Sequence, residues 1–378
     1  MDGLRCGIEF EYLLVDREGP QAGRIRDFRS LDFAALSAVL ADKPGCADPS
    51  LATGDMGIRR GYWYLEGDER FAADGAFATL AVKGVEIRTP PQPSVAAAID
   101  SLLTIERQLS ARLLAHGLGL AVAGFNPWLA LYEPQPPFNA FERALRASDH
   151  EYDGTEVSTL SYGPDINLSL AGWDSPRCLD VARKLNHYAP FIVPFSFSSP
   201  LQAGCHWLGL SYRTWVRCRC RPAVKFFVAA EEEAAWSQRS TLARPARLAA
   251  EVGRIEFKAF DALLSMELLD ACCQLLLGLC LDTTLPARSE SSNVSLYQRA
   301  ALDGFEDEDI CAGATAVLNA ARAALQQHGE DVAALAPLFA LLAARRTPAH
   351  ALRDTAARGA PPYRSGGLGE AGPAHAYR

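Results

Sequence analysis

The sequence predicts an α+β domain in which helices cover one side of a mainly antiparallel sheet. Three observations lead there. Four stretches alternate apolar and polar residues with a period of two: "GIEFEYLLVD" (7–16), "VKGVEIRTP" (82–90), "GPDINLSLAG" (163–172) and "GRIEFKAFD" (253–261). Helical patterns fall between them at irregular intervals. Long loops separate the two kinds of element, which argues against a regular βαβ array.

The elements follow in order. The first 25 residues are charged and strand-like, so no secretory leader is expected. After the second strand, "PSVAAAIDSLLTIERQLSARLLAHG" offers Ser94 as N-cap, apolar residues from Ile99 to Leu113 at helical spacing, and Gly117 as the stop. An apolar strand is expected in "LGLAVAGFNP" (118–127). "DSPRCLDVARKLNHYAPFIVPF" sets Ser175 before Pro176, the favoured order for N-cap and first helical residue. "AAEEEAAW" reads as a solvated helix start. "MELLDACCQLLLGLCL" and "EDEDICAGATAVLNAARAALQQHG" are helical by pattern and length, and the first is too short to span a bilayer and reads as a buried helix. "VAALAPLFALLAARR" carries a break at Pro337. Residues 1–354 form one domain, and 355–378, rich in Gly, Pro and Ala, read as a flexible tail.

Composition narrows the function classes. The 378 residues carry a net charge of −8 with no basic run, which excludes generic binding to nucleic acid or an anionic membrane. Ten cysteines occur without C-x-x-C or any zinc-like Cys/His spacing, so reduced, buried thiols in a cytoplasmic protein are expected. The sequence is compatible with a homo-oligomer.

Side chains alternate faces along a strand. Glu9 and Glu11 then share a face opposite Ile8, Phe10 and Tyr12. Glu86 and Arg88 lie opposite Val85 and Ile87; Asp165, Asn167 and Ser169 lie opposite Ile166, Leu168 and Leu170; Glu256 and Lys258 lie opposite Ile255, Phe257 and Ala259. One such strand is ordinarily a sheet with a wet side. Four together are different, because Glu and Asp are poor strand formers and five of them occupy strand interiors here. If the strands are neighbours, the carboxylates converge and cannot all ionise without cations. Hard divalent cations take such oxygen ligands. Glu9, Glu11, Glu86, Asp165 and Glu256 are accordingly the candidate Mg²⁺ ligands, with Arg88 and Lys258 interleaved to hold anionic oxygens. No P-loop, kinase signature set, Rossmann fingerprint or G-x-S-x-G is present, so a nucleotide would be held by metals and cationic side chains.

These residues resemble the glutamate–cysteine ligase superfamily in its bacterial carboxylate–amine ligase branch. "GIEFEYLLVD" is similar to its opening G-x-E-x-E strand, "VEIRTPP" (85–91) to its Glu-x-Arg-Thr-Pro strand, and "GPDINLSL" (163–170) to its Gly-x-His-x-(His/Asn) strand. "NHYAPFIVPFSFSSPLQAG" (186–204), "GRIEFKAFD" (253–261) and "NVSLYQRAALDGF" (293–305) resemble later segments, so six motifs follow in the family's order over about residues 5–305. The resemblance implies a glutamine-synthetase-like catalytic domain: a curved, mainly antiparallel sheet forming a funnel, flanked by helices, with metal ions on the inner face. It implies an ATP- and Mg²⁺-dependent ligase that joins a carboxylate, of glutamate or a related amino acid or peptide, to an amine through an acyl phosphate. Glu9, Glu11, Glu86 and Glu256 match the family's carboxylate ligands and carry the catalytic role. Arg88, Asn167 and Lys258 are the cofactor-binding candidates. Asp165 stands where the family usually has His, Lys258 where it has Arg, and Asn126 where a His often precedes Pro.

Outside the strands, Arg59 and Arg60 in "GDMGIRRGYWY" and Arg213 in "LSYRTW" are candidates to bind a substrate carboxylate. The histidines show no mutual metal spacing and read as structural or surface groups, and Cys205, Cys218 and Cys220 as inert thiols. Two other functions compete with ligation: a non-catalytic relative that binds a peptide or partner protein in the same funnel, and phosphoryl transfer to a small acceptor without ligation.

Overall fold

The computed structural model describes residues 3–52, 60–148, 154–219 and 221–370. The strands in chain order are β1 (Leu4–Asp16), β2 (Ile25–Arg26), β3 (Trp63–Phe71), β4 (Phe77–Arg88), β5 (Leu118–Val122), β6 (Pro164–Leu170), β7 (Leu201–Gln202), β8 (Cys205–His206), β9 (Val224–Val228), β10 (Ala243–Pro245), β11 (Ile255–Phe257) and β12 (Arg364–Ser365). Seven lie side by side in the order β10-β9-β11-β6-β1-β4-β3; β2 and β5 pair with the end of β1, and β12 with β5. Every pairing in this sheet is antiparallel except β10 with β9. The sheet curls into a half-barrel, so the expected α+β class and funnel are present.

Register sorts the side chains by chemistry. Phe10 faces Ile87, Tyr12 faces Val85, Ile8 faces Ile166, and Leu168 faces both Cys6 and Ile255. On the opposite side, Glu9 faces Arg88 and Asp165, Glu11 faces Glu86, and Glu256 faces Asn167. A slip of one residue would exchange the two faces, so burial of the apolar set fixes the register of the polar set.

Helices cover the apolar face. The helix Val95–Leu114 is capped by Ser94, whose Oγ accepts from Ala97 N at 3.1 Å. The helix Ser175–Ile192 starts as expected, but its cap is Asp174, which accepts from Arg177 N at 2.9 Å. Asp174 is as good a cap as Ser, and with it in that place Ser175 becomes the first helical residue. The helix Met266–Leu281 packs among Val95–Leu114, Glu308–Gln327 and Ala336–Ala343, which is why it is apolar nearly all round. The break at Pro337 falls at the start of Ala336–Ala343. No helix among the described residues is long and apolar enough to cross a membrane.

Three strands that the sequence did not announce extend the main run of the sheet, β3 at one side and β9 and β10 at the other. The flexible tail expected over 355–378 needs correction. Helix Pro348–Ala357 runs into it, β12 pairs with β5, and Tyr363 and Leu368 are buried. Glu106 ties this segment down: its carboxylate accepts from Tyr12 Oη at 2.5 Å, Leu368 N at 2.7 Å and Gly369 N at 2.8 Å. The Gly/Pro-rich composition gave no hint of partners so distant in sequence. Residues 371–378 lie outside the described residues.

A second buried carboxylate positions the cleft's rim. Glu142, on the helix Ala140–Ser148, accepts from Arg70 Nε at 2.8 Å, Phe71 N at 3.0 Å and Asn139 N at 2.8 Å. Burial alone would raise its pKa; these donors outweigh it and hold it at about 2.

Two stability predictions follow from these clamps. Glu106→Ala leaves two amides and a phenol without their acceptor, and should lower unfolding free energy by roughly 3 kcal/mol in urea titration; a loss under about 0.5 kcal/mol would contradict the clamp. Glu142 is depressed from 4.5 to about 2, so its stabilisation is full above pH ~4.5 and is lost as pH falls through ~2, a change of about 3 kcal/mol. Comparing the acid limb of the stability curve for wild type and Glu142→Gln checks this, with parallel curves as the contrary result.

Candidate active site

The polar face of the sheet floors a cleft of about 650 Å³. Glu9, Glu11, Glu86, Asp165, Glu256, Arg88 and Lys258 all line it. Carboxylate oxygens of Glu9, Glu86 and Asp165 lie within 4.8 Å of one another, and so do those of Glu11, Glu66 and Glu86. Glu86 belongs to both groups and receives a 3.0 Å hydrogen bond from Tyr64 Oη. Glu66, on β3, is a member that the sequence did not reveal.

Glu11 is held from two sides: Lys83 Nζ donates to Oε1 at 2.5 Å, and Gly163 N donates to Oε2 at 2.8 Å. Gly163 is small for a reason, since a Cβ there would lie 2.3 Å from Phe260 O and 2.6 Å from Arg213 Nη2. Asn167 donates to Glu9 at 3.1 Å and accepts from Arg254 Nη1 at 2.7 Å. Arg254 also approaches Glu9 at 3.9 Å and Glu256 at 3.8 Å, with its guanidinium stacked over Phe227.

Glu256 belongs to neither carboxylate group. Lys258 Nζ is hydrogen-bonded to Asp165 and 3.5 Å from Glu256. Burial pushes the Glu256 carboxyl up against the pull of Lys258. Burial would raise Asp165 as well, but Lys258 with Arg213 and Arg217 behind it holds that carboxyl below its ordinary value. Burial opposes the Lys258 ammonium, yet Asp165, Glu256 and Glu9 override it and keep it above the usual lysine range.

The remaining candidates divide. Arg213 lines the cleft but is buried, and it donates to the carbonyls of Ala259 at 3.1 Å and Lys258 at 3.4 Å, so it braces the strand as well as facing the cleft. Burial lowers its pKa, and burial together with Arg213 lowers that of Arg217 to about 10. Arg88 reaches the carbonyls of Gly61 at 2.8 Å and Leu51 at 2.6 Å and stacks on Tyr64. Arg60 is exposed and absent from the described lining, while Arg59 lies outside the described residues, as does Cys220. Asn126 is fully buried and does not line the cleft. Among the described residues no histidine lines the cleft. Cys218 is buried and Cys205 exposed; burial raises Cys6 to about 12 and Cys178 to about 11, which suits inert thiols.

The donor set fits magnesium. All the clustered ligands are carboxylate oxygens, with no sulfur or imidazole among them. Arg213, Arg217, Arg221, Lys225, Arg244 and Arg247 line the same cleft, a setting suited to phosphate or carboxylate oxygens.

The chain was compared with known proteins. The pattern of glutamate–cysteine ligase family 2 (GCS2) matches residues 5–224. A bifunctional glutathione synthetase from Pasteurella multocida aligns with a TM-score of 0.52 at 14% identity, over 89% of this chain and 47% of that one. A glutamate–cysteine ligase from Francisella tularensis, solved in complex with AMP, aligns with a TM-score of 0.52 at 12% identity, over 95% and 86%. No curated protein matches. The chain thus spans about half the length of the Pasteurella enzyme. At such identities the structures speak for a shared fold, while the sequence pattern covers more than half of the chain and includes Glu9, Glu11, Glu86 and Asp165. This chain belongs to glutamate–cysteine ligase family 2.

Proposed function

We propose that this protein is a cytoplasmic ATP- and Mg²⁺-dependent carboxylate–amine ligase that forms an amide on glutamate or a related amino acid or peptide by way of an acyl phosphate. The observation that carries this reading is the convergence of Glu9, Glu11, Glu66, Glu86 and Asp165 on one face, in a cleft that arginines also line. Glu11, Glu66 and Glu86 would hold one Mg²⁺, and Glu9, Glu86 and Asp165 a second. Bound there, the ions would offset charge on the phosphate oxygens.

The chain's own residues have distinct tasks in this reading. Lys83 and Gly163 fix both oxygens of Glu11, and Tyr64 fixes Glu86, so the ligands are held before anything binds. Arg254, with its guanidinium stacked and tethered through Asn167, orients an anionic oxygen near Glu9 and Glu256. Arg213 and Arg217 supply fixed positive charge to the acceptor carboxylate and the transferred phosphoryl group. Arg88 holds the carbonyls of Leu51 and Gly61, and Arg59 and Arg60 remain the candidates for the substrate's distal carboxylate. The family membership and the AMP bound to the Francisella enzyme support a nucleotide in this cleft.

One observation favours a second reading, in which the cleft binds a peptide or partner protein without catalysis: the Lys258 ammonium spans Asp165 and Glu256, two residues of the acidic face.

Turnover separates the two. ADP release from Mg²⁺–ATP, measured across a panel of amino-acid and amine pairs, should rise at least about tenfold with one pair, and the product mass should equal the two substrates less water. Glu86→Gln, which touches both carboxylate groups, should lower kcat about 100-fold or more. If every pair leaves the rate at the background while Mg²⁺–ATP still binds, the ligase reading fails; a phosphorylated acceptor in place of an amide would identify a kinase.

A further inference from the structure

The acidic face is not uniformly open to metal. Its carboxylates cluster as Glu11–Glu66–Glu86 and Glu9–Glu86–Asp165. Glu256 lies on the same face in register with Asn167, two residues from Asp165, and yet joins neither cluster. What fills the corner between Asp165 and Glu256 is the Lys258 ammonium, hydrogen-bonded to the first and 3.5 Å from the second. These three side chains are 24% or less exposed, so water screens the arrangement weakly.

The ammonium is held in place from its own backbone. Lys258 N donates to Ala223 O at 2.8 Å, and Arg213 donates to Lys258 O at 3.4 Å. Arg254, 3.8 Å from Glu256 Oε1, brings a second positive charge to the same oxygen that Lys258 approaches. A divalent cation seated between Asp165 and Glu256 would meet the ammonium at contact distance, and like charges so close exclude each other. An uncharged side chain at position 258 would leave the same corner with two carboxylates and no ammonium.

We propose that Lys258 is a tethered cation that takes the place of a divalent ion at the Asp165–Glu256 corner. Asp165 and Lys258 then work as one unit, the carboxylate adding negative charge to the face and the lysine cancelling it. The protein binds one metal ion fewer than its carboxylates would otherwise accept, and Lys258 sets that number. This inference rests on the metal reading of the cleft, but its test is independent of turnover.

The test counts ions. Full-length protein is titrated with Mn²⁺, free Mn²⁺ is read by electron paramagnetic resonance, and the number of bound ions is compared across variants. Lys258→Met should bind one ion more than wild type. Lys258→Arg, which keeps the charge, should match wild type, and the double variant Glu256→Gln/Lys258→Met, which leaves both carboxylate clusters intact, should also return to the wild-type number. Equal counts for wild type and Lys258→Met would overturn the inference while leaving the metal reading intact. A raised count that persists in the double variant would also overturn it, since the extra ion would not be using Glu256. If neither wild type nor Lys258→Met binds Mn²⁺, both this inference and the metal reading fall. Should Lys258→Met not fold, Lys258→Gln against Lys258→Arg makes the same contrast.

Discussion

Repulsion among carboxylates on one sheet face is the constraint to which the rest of the site answers. Two such charges at the 4.8 Å limit that bounds each cluster repel by about 1 kcal/mol in bulk water and by about 3 kcal/mol at an effective dielectric constant of ~20. Six of them on neighbouring strands are stable together only if positive charge is close. Part of that charge is built in: Lys83 on Glu11, Arg254 beside Glu9 and Glu256, and Lys258 on Asp165. In the clusters around Glu86, divalent cations would supply the rest under the proposed function.

The fold meets this constraint by separating scaffold from site along a single alternation. The residues that pack the apolar face, Ile8, Phe10, Tyr12, Val85, Ile87 and Ile166, are buried at 1% exposure or less. Because side chains alternate, burying them places the acidic residues on the other side without further choice. The helices contribute by holding that sheet rigid, and the carboxylates of Glu106 and Glu142 tie distant segments to it. Stability is concentrated on one side of the sheet and electrostatic strain on the other.

How much of this was legible in the sequence depends on whether the period of two is kept. Glu9, Glu11, Glu86, Asp165, Asn167 and Glu256 sit in unbroken alternation, and they share a face as expected. Arg254 keeps the same parity as Glu256 and Lys258 and was open to the same reading. Glu66 was hidden because "WYLEGDERF" is interrupted by Gly67 at a register shift, where a Cβ would lie 2.0 Å from Ala81 O. The same shift skips Lys83, which pairs with no β3 residue and turns into the polar face to reach Glu11. The role of Arg213 as a brace, and the docking of residues 363–369 on β5 and Glu106, depend on contacts far apart in sequence that no local pattern encodes.

The central claim is that the carboxylates around Glu86 bind divalent cations in company with a nucleotide. A crystal structure of the protein with Mn²⁺ and a non-hydrolysable ATP analogue, collected at the manganese absorption edge, tests it most directly. Anomalous peaks should lie within about 2.0–2.3 Å of oxygens from Glu11, Glu66 and Glu86 and from Glu9, Glu86 and Asp165, with phosphate oxygens completing each shell. A nucleotide bound with no anomalous density on this face, or with its metal held elsewhere, would contradict the account.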